Sequence, residues 1–350
     1  MNLPFSESLS VQKLASVFSS TSATYKFYWF LAVLELVEEG NTTILKRKLF
    51  SRMISNSWYT VNYFHVSFGK QDLIQEAVKI ILKTENITVN ESKRNINTVL
   101  ENTVNIQTIQ VLNHFDKNVP HWFISPWFSA NTNRNSIYSL SQNYDNGCLY
   151  SLEKDYITIN PIWIAYLTAN SKLLKDFCYW NLCLFLQKRN PNVPDIANKI
   201  NKTITRNSLN KQTNEYWKLV FKELGFIDCI FTGKKLVFEE KKYALDHFVP
   251  HAFISHDLMW NLIPIDRAYN SSKSDKLPSI DKYFDKFFNL QKTGFEIVKS
   301  QNTKNKYLED YLTIFPDLQD GDTFDYARYK ESIQPLITIA HNNGFSFIKD

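Results

Sequence analysis

Residues 243–278 constrain what this chain can fold into more than any other stretch. Two short apolar runs lie in it: Asp246 and His247 stand at the end of the first, and Asn261 lies in the second. A polar stretch whose composition suits a short helix follows, and it contains Asn270. The order of these runs predicts that a short hairpin and a helix bring four polar side chains together.

These four side chains have the chemistry of a one-metal site for phosphodiester hydrolysis. The Asp246 carboxylate and an amide oxygen can hold a hard divalent cation. A neutral imidazole, here that of His247, can take a proton from water. A lone Asp-His pair is a weak signal, whereas the whole ordered set is a specific one.

The segment resembles the HNH, or ββα-metal, nuclease motif, and it is most similar to the HNH domain of RNA-guided CRISPR nucleases. The shared features are Asp246-His247-x-x-Pro250-x-x-Phe253, then Asn261, then Asn270-x-x-Lys273-Ser274-Asp275. Asn270 stands where many members of the family carry a second histidine. The resemblance covers a small part of the chain and implies nothing direct about the rest.

The resemblance implies a ββα arrangement for this segment. Residues 236–245 are expected to form the first strand with its approach, and residues 261–264 the second. Asp266 is expected to cap a helix that carries Asn270. Since Lys273 and Ser274 are three and four positions after Asn270, the three residues are expected to share one face of that helix.

The adjacency of Asp246 and His247 is a difficulty for this arrangement. Successive residues of a regular strand point to opposite faces of the sheet. The two side chains can serve one site only if the backbone twists or bulges there, or if the site straddles the strand end. Pro250 favours an irregular strand end, because the residue before a proline is kept out of helical conformation.

Five residues receive roles under the nuclease hypothesis. Asp246 and Asn270 bind one Mg²⁺ or Mn²⁺ ion through oxygen, and His247 deprotonates the attacking water. Asn261 orients the histidine or its loop, through its side chain or its backbone. Lys273 contacts a phosphate or the transition state.

Several neighbouring residues have a plainer interpretation beside a functional one. His251 and His256 are interpreted as loop residues rather than as further metal ligands, and His256-Asp257 as a hydrogen-bonded turn. A structural role for the Asn261 amide at a strand edge is as compatible with the sequence as a direct catalytic role. Cys229 is the first cysteine of a zinc-knuckle pair whose second cysteine is missing, so we expect a buried thiol and no structural zinc.

The composition indicates a folded, mildly basic protein. The 350 residues are 44% hydrophobic and 15% aromatic, which suffices for two or more domains. The net charge of +5 is compatible with a polyanionic partner but does not establish one. Four cysteines without a CxxC pair fit reduced thiols in the cytosol. The apolar run at 27–37 is too short to span a bilayer and no signal peptide is evident, so we expect a cytoplasmic protein with no membrane partner.

The N-terminal region is predicted to be mainly helical. Helices are expected at residues 11–18, 25–38, 44–56, 73–82 and 161–185, and a small hairpin at residues 148–152 and 156–159. Residues 84–100 are interpreted as a solvated helix or loop, and residues 118–136 as an irregular packed connection. Basic residues near Tyr28 and Trp29 are interpreted as a solvated helix face, and the alternative is a face that binds nucleic acid. They are Lys26, Lys46, Arg47, Lys48 and Arg52.

We therefore predict a mainly α protein with a small α+β insertion. Its parts are a helical N-terminal domain for recognition, docking or regulation (1–190), a linker with a helix at 213–224 (191–225), the ββα-metal nuclease domain (226–280) and a C-terminal helical extension (281–350). The extension is expected to contain helices at 280–288 and 324–341 and a turn at 317–322.

A metal-dependent HNH endonuclease that cuts DNA is the leading functional hypothesis, with bacterial phage defence or restriction as its setting. An RNA-cutting toxin and a mobile-element nuclease remain open. Two other hypotheses also remain open: a nucleic-acid-binding subunit that has lost nuclease activity, and a subunit that docks a partner sensor or ATPase. Because one HNH site cuts one strand, double-strand cleavage would need a homodimer or two binding events.

Overall fold

The computed structural model describes residues 3–201, 208–318 and 324–349. These residues are mainly helical, as predicted, and they also form three small sheets. The chain divides into two compact units. The first comprises Met1–Pro191 and Ile196–Ile204, and the second Asn192–Asp195 and Thr205–Asp350. The four-part division of the chain stays a prediction.

The first unit is built from helices around an aromatic core. Helix α2 is buried on nearly all sides, as its uniformly apolar sequence predicts. The helices are α1 (Val11–Ser16), α2 (Tyr25–Glu38), α3 (Lys46–Asn62), α4 (Leu73–Thr84), α5 (Lys93–Asn102), α6 (Ile106–His114), α7 (Pro120–Ile124), α8 (Arg134–Ser141), α9 (Pro161–Ala169), α10 (Ser171–Arg189) and α11 (Ile196–Asn201).

A three-stranded sheet accompanies these helices. The predicted hairpin forms as β2 (Tyr150–Leu152) and β3 (Tyr156–Ile159), and β1 (Thr43–Leu45) pairs with β3 on its other side. The helix expected at 44–56 therefore begins at Lys46 and continues to Asn62. A three-residue strand is too short to show a periodicity in the sequence, and only its partner strand defines it.

Three other expectations for the first unit differ from the structure. The long helical region expected at 161–185 is divided into α9 and α10, which meet at Asn170. Residues 118–136 are not irregular throughout, since they contain α7 and the start of α8. The second half of residues 84–100 lies in α5, which buries Ile96 and Leu100.

Three basic residues of α3 make polar contacts within the first unit. Lys46 is only 3% exposed, and its ammonium group donates to Asp116 at 2.7 Å and to the Tyr138 hydroxyl at 2.8 Å. Arg47 donates to the backbone carbonyls of Leu100 and Thr103. Arg52 pairs with Glu39 at 3.0 Å. Lys46, Arg47 and Arg52 are therefore held by neighbouring groups of the first unit. The choice between a solvated face and a nucleic-acid face for the whole basic set stays a prediction.

The second unit contains the hairpin and helix predicted from sequence. Strand β6 (Tyr243–His247) pairs antiparallel with β7 (Leu262–Asp266), and α15 (Arg267–Lys273) follows directly. The first strand is displaced from the predicted 236–245, because Leu236 lies in a separate pair of short strands, β4 (Ile227–Asp228) and β5 (Lys235–Leu236). Between β6 and β7 lie α14 (His251–Ile254) and a 3₁₀ turn, Met259–Asn261.

Helices surround this hairpin within the second unit. The predicted helix at 213–224 is observed as α12 (Asn210–Gln212), a π-helical turn (Thr213–Trp217) and α13 (Lys218–Leu224). The C-terminal part forms α16 (Ile280–Gln301), a 3₁₀ helix (Lys306–Thr313) and α17 (Tyr326–Asn342). Helix α16 exceeds the predicted 280–288 because its buried apolar face continues to Val298. Most of the turn predicted at 317–322 lies outside the described residues.

Three polar side chains fix the back of the hairpin to the C-terminal helices. The fully buried Gln291 of α16 donates to the carbonyls of Met259 at 3.2 Å and Leu262 at 2.9 Å. Tyr311 donates to the Gln291 side-chain oxygen at 2.6 Å, and Tyr216 lies 2.9 Å from the Tyr311 hydroxyl. Since buried polar groups need partners, this network specifies one packing of the helices on the hairpin.

Every helix in the described part of the chain is too short or too polar to cross a membrane.

Candidate active site

The end of strand β6 carries two of the predicted site residues. Asp246 lies opposite Ile263 and His247 opposite Leu262, in a pairing that is regular along the whole strand. Both residues are buried, with 6% and 4% of their surfaces exposed. The strand has no bulge at this point, and the two side chains meet different partners: that of Asp246 lies on α15, and that of His247 lies in the loop after α14.

Lys273, at the end of α15, is the partner of Asp246. Its ammonium group lies 2.7 Å from Oδ2 of Asp246 and donates to the backbone carbonyl of His247 at 2.9 Å. Only 1% of the lysine side chain is exposed. A buried carboxylate and a buried ammonium each stabilise the other, because either one alone would be a desolvated charge.

The His247 ring is anchored through one of its nitrogens. Nε2 lies 3.0 Å from Oδ1 of Asp257 and 3.2 Å from the backbone carbonyl of His256. A carbonyl and an ionised carboxylate can only accept hydrogen bonds, so these partners assign the ring proton to Nε2. In the neutral ring, Nδ1 then carries the lone pair and is able to accept a proton.

Asn261 binds backbone and no other side chain. It is fully buried; its Oδ1 accepts from the Val249 N–H at 2.8 Å and its Nδ2 donates to the Val249 carbonyl at 2.8 Å. Its own carbonyl accepts from Phe248 N–H at 2.8 Å. Asn261 thus fastens the chain that follows His247 through both its side chain and its backbone. It does not contact the imidazole.

Asn270 lies one turn before Lys273 on α15. It is half-buried, whereas Ser271 and Ser272 are exposed, so it shares the inward face of the helix with Lys273. Within the described residues its amide makes no side-chain hydrogen bond, and none joins it to Asp246. The structure therefore places Asn270 on the expected face but does not bring it into contact with the carboxylate.

The start of α15 is held by the turn between β4 and β5. Asp266 caps the helix as predicted: its Oδ1 accepts from the Ala268 N–H at 3.1 Å. Lys234 lies 2.6 Å from Oδ2 of Asp266, and this pairing lowers the pKa of the carboxyl below its usual value. The buried Cys229 sulfur accepts from the Asp266 N–H at 3.3 Å. Cys229 therefore helps to position the helix that carries Asn270 and Lys273.

The donor groups at Asp246 and Asn270 fit a hard divalent cation. Oδ1 of Asp246 and the Asn270 amide are not engaged in hydrogen bonds to other described residues, and both offer oxygen. Magnesium is commonly held by one or two carboxylates together with water and substrate phosphate, so few protein ligands are needed. Across residues 3–201, 208–318 and 324–349, no group of three or more His, Cys, Asp or Glu could hold a metal ion.

Asp257 and Asp310 lie next to the site, although the sequence analysis assigned neither residue to it. Asp257 was interpreted as part of a turn, yet it binds the His247 ring. Asp310, from the C-terminal 3₁₀ helix, accepts from the Met259 N–H at 2.8 Å, and burial raises its pKa. Sequence spacing predicts neither contact. The conformation of the loop brings Asp257 to His247, and the packing of the C-terminal helices brings Asp310 to Met259.

One comparison with known proteins gives a match. Residues 229–279 match the model of a protein family described as HNH endonuclease. The match includes Cys229, all five predicted site residues and Asp257. No curated protein and no solved structure matches the chain. The match supports assignment of this segment to the HNH endonucleases, which are generally metal-dependent, and of the protein to the nuclease hydrolases that bind nucleic acid.

Proposed function

We propose that this protein is a metal-dependent HNH endonuclease that hydrolyses phosphodiester bonds in DNA. The observation that carries the proposal is the anchoring of His247. Its ring is held through Nε2, so Nδ1 is left to accept a proton, and the preceding residue supplies a carboxylate. This pair lies at the end of the first strand of a ββα unit within the segment that matches the HNH endonucleases.

Asp246 and Asn270 are the residues that would hold Mg²⁺ or Mn²⁺. When bound, such an ion supplies positive charge that polarises a phosphate oxygen and stabilises the leaving oxygen. His247 accepts a proton from the attacking water on Nδ1. Lys273 neutralises Asp246. Because its side chain is only 1% exposed, its proposed contact with a phosphate oxygen requires the ion pair with Asp246 to open when substrate and metal bind. Asn261 holds the backbone after His247 and so keeps the base in place.

The test is cleavage of a supercoiled plasmid by the purified protein with Mg²⁺, Mn²⁺ or EDTA, with supercoiled, nicked and linear forms resolved. We expect cleavage with the metal ions and none with EDTA. His247→Ala should slow cleavage by about 10²- to 10⁴-fold, because it removes the base, while DNA binding in a gel-shift assay is retained. His341→Ala, outside the matched segment, is the control. A His247→Ala protein that cuts as fast as wild type contradicts the assignment.

A second candidate function is a nucleic-acid-binding or partner-docking subunit without catalytic activity. The buried ion pair of Lys273 with Asp246 favours it, since the ammonium occupies one of the two carboxylate oxygens. This alternative predicts nucleic-acid binding that is unaffected by EDTA and no cleavage of DNA in any metal. Running the same assay on RNA distinguishes an RNA-cutting toxin from a DNA nuclease.

The biological setting is proposed on the resemblance to CRISPR-type HNH domains and not on the geometry. We propose a cytoplasmic bacterial effector in phage defence or restriction, which acts with a partner sensor or ATPase. Cleavage of both strands is proposed to require a homodimer or two binding events. Mass photometry of the protein alone and with neighbouring gene products measures the oligomeric state and tests the partner.

A further inference from the structure

We propose that Asp257 is a positioning residue for His247, and that the two form a His–Asp dyad that fixes which ring nitrogen receives the proton. The proposal rests on the proposed role of His247 as the base. The proposal adds Asp257 to the residues that support catalysis. Asp257 lies after the Asp-His pair in sequence and needs no contact with the metal ion or the phosphate.

The contact distances and the burial carry the first step. Oδ1 of Asp257 lies 3.0 Å from Nε2 of His247, while the His247 side chain is 4% exposed and the Asp257 side chain 21% exposed. A hydrogen bond to a carboxylate is stronger than one to a neutral carbonyl, particularly where little water competes. Asp257 is therefore a stronger partner of Nε2–H than the second acceptor, the His256 carbonyl at 3.2 Å.

The backbone around Asp257 holds its carboxylate in place. Helix α14 ends at Ile254, and the next residue, Ser255, adopts a left-handed conformation (φ 61°) that turns the chain back toward His247. Beyond Asp257, the Met259 N–H is bound by Asp310 and the Asn261 side chain is bound to Val249. Because both sides of the short segment are fastened, the carboxylate faces the ring without having to be ordered when substrate binds.

The dyad has a defined consequence for proton transfer. As the water O–H bond breaks, its proton moves to Nδ1 of His247 and the water oxygen bonds to phosphorus. The bond from phosphorus to the leaving 3′ oxygen breaks, and that oxygen keeps the electron pair and takes a proton from solvent water. The ring becomes a cation while Nε2 keeps its own proton, and Asp257 stabilises that cation without taking a proton itself. The carboxylate should therefore affect the rate of the chemical step more than the affinity for nucleic acid.

Two substitutions separate the charge of Asp257 from its shape. Asp257→Asn keeps the size and an acceptor oxygen but removes the charge, whereas Asp257→Ala removes both. Asp281→Asn, an exposed carboxylate on the first turn of α16, is the matched control. Each protein is assayed for kcat and KM on plasmid with Mn²⁺, and thermal unfolding confirms that it is folded.

The expected result is a loss in kcat without a comparable change in KM. Asp257→Ala should lower kcat by about 10- to 100-fold, with KM within about twofold of wild type. The kcat of Asp257→Asn should lie between those of wild type and Asp257→Ala. Asp281→Asn should match wild type. A kcat of Asp257→Ala equal to that of wild type, or a loss that appears only in KM, overturns the proposal.

Nitrogen NMR of ¹⁵N-histidine-labelled protein provides a readout that does not depend on activity. The His247 signals are identified by their absence in His247→Gln. We expect wild type to carry the ring proton on Nε2 and Asp257→Ala to show a mixture of the two neutral forms. A wild-type proton on Nδ1 overturns the proposal. If wild type cuts no nucleic acid, the proposed function fails, while the NMR result still decides whether Asp257 fixes the ring.

Discussion

Lys273 carries out two structural tasks with one ammonium group. It neutralises the Asp246 carboxylate and binds the His247 carbonyl, so it joins the end of α15 to the end of β6. Ser274, directly after it, has a positive φ of 50°, a conformation that L-residues rarely adopt, and this turn ends the helix at the lysine. The position predicted to contact phosphate is thus also the internal counter-ion of the proposed metal ligand.

Replacing Lys273 with methionine should separate these tasks. Without divalent metal, Lys273→Met leaves the Asp246 carboxylate buried without its cation, and we expect a loss in the free energy of unfolding of about 3 kcal/mol. Mn²⁺ should then stabilise this variant more than wild type, because the ion no longer competes with the ammonium. Thermal unfolding with MnCl₂ or EDTA measures both effects.

Lys276→Met is the matched control for this experiment. The Lys276 ammonium group donates to the Ser272 carbonyl of α15, and Asp246 pairs with Lys273 instead. Neither the stability of this variant nor its response to Mn²⁺ should therefore change much. Equal metal-induced shifts in Lys273→Met and wild type would show that the lysine and the ion do not share the carboxylate.

The loop between β6 and β7 is the element on which the site depends. It leaves the hairpin at His247, forms α14 and returns at Asn261, and the two ends are joined by the hydrogen bonds of Asn261 to Val249 and Phe248. Pro250, which lies just after this clamp, is the residue preceding α14. The loop is therefore closed at its base, which limits the movement of the His247 ring.

Opening this clamp should both destabilise the second unit and slow cleavage. Asn261→Ala leaves the buried N–H and carbonyl of Val249 without partners, and we expect a loss of about 3 kcal/mol in the free energy of unfolding. Asn261→Asp has the same shape but places an acceptor against the Val249 carbonyl, so it should be as damaging. If the aspartate variant behaves like wild type in urea unfolding, the shape of the side chain and not its hydrogen bonding stabilises this site.

The second unit extends well beyond the segment that carries the chemistry. Phe248, next to the catalytic candidate His247, stacks on Phe287 of α16 with ring centroids 3.9 Å apart. Gln291 and Tyr329 bind the carbonyls of the 3₁₀ turn before β7. A hairpin and one short helix bury too little apolar surface to be stable alone, so these helices complete the core of the nuclease segment.

This dependence predicts the behaviour of two fragments. A fragment of residues 226–280 should be unfolded in isolation, because it lacks the ring partners and the Gln291 contacts. A fragment of residues 205–350 should fold and unfold cooperatively. Circular dichroism and urea unfolding test both. A cooperative transition in the shorter fragment would show that the C-terminal helices are an addition to the nuclease domain and not part of its core.

Parts of this molecule could be predicted from sequence because neighbouring residues determine them. The N-cap of Asp266, the apolar helix α2 and the order strand–strand–helix all depend on residues close together in the chain. The sequence does not predict strand β1, and β6 begins later than predicted, because the position of a strand depends on the partner with which it pairs. The roles of the five site residues stay predictions.

By itself, the sequence determined the local chemistry: a carboxylate beside an imidazole, later amides and a lysine at helical spacing, in an order that matches the HNH endonucleases. Only the tertiary structure decided that Lys273 neutralises Asp246, that Asp257 holds the ring of His247, and that the C-terminal helices support the hairpin. The reason is physical, since helix faces and caps follow from near neighbours. Contacts between residues distant in the chain depend on how the loops turn and how the helices pack.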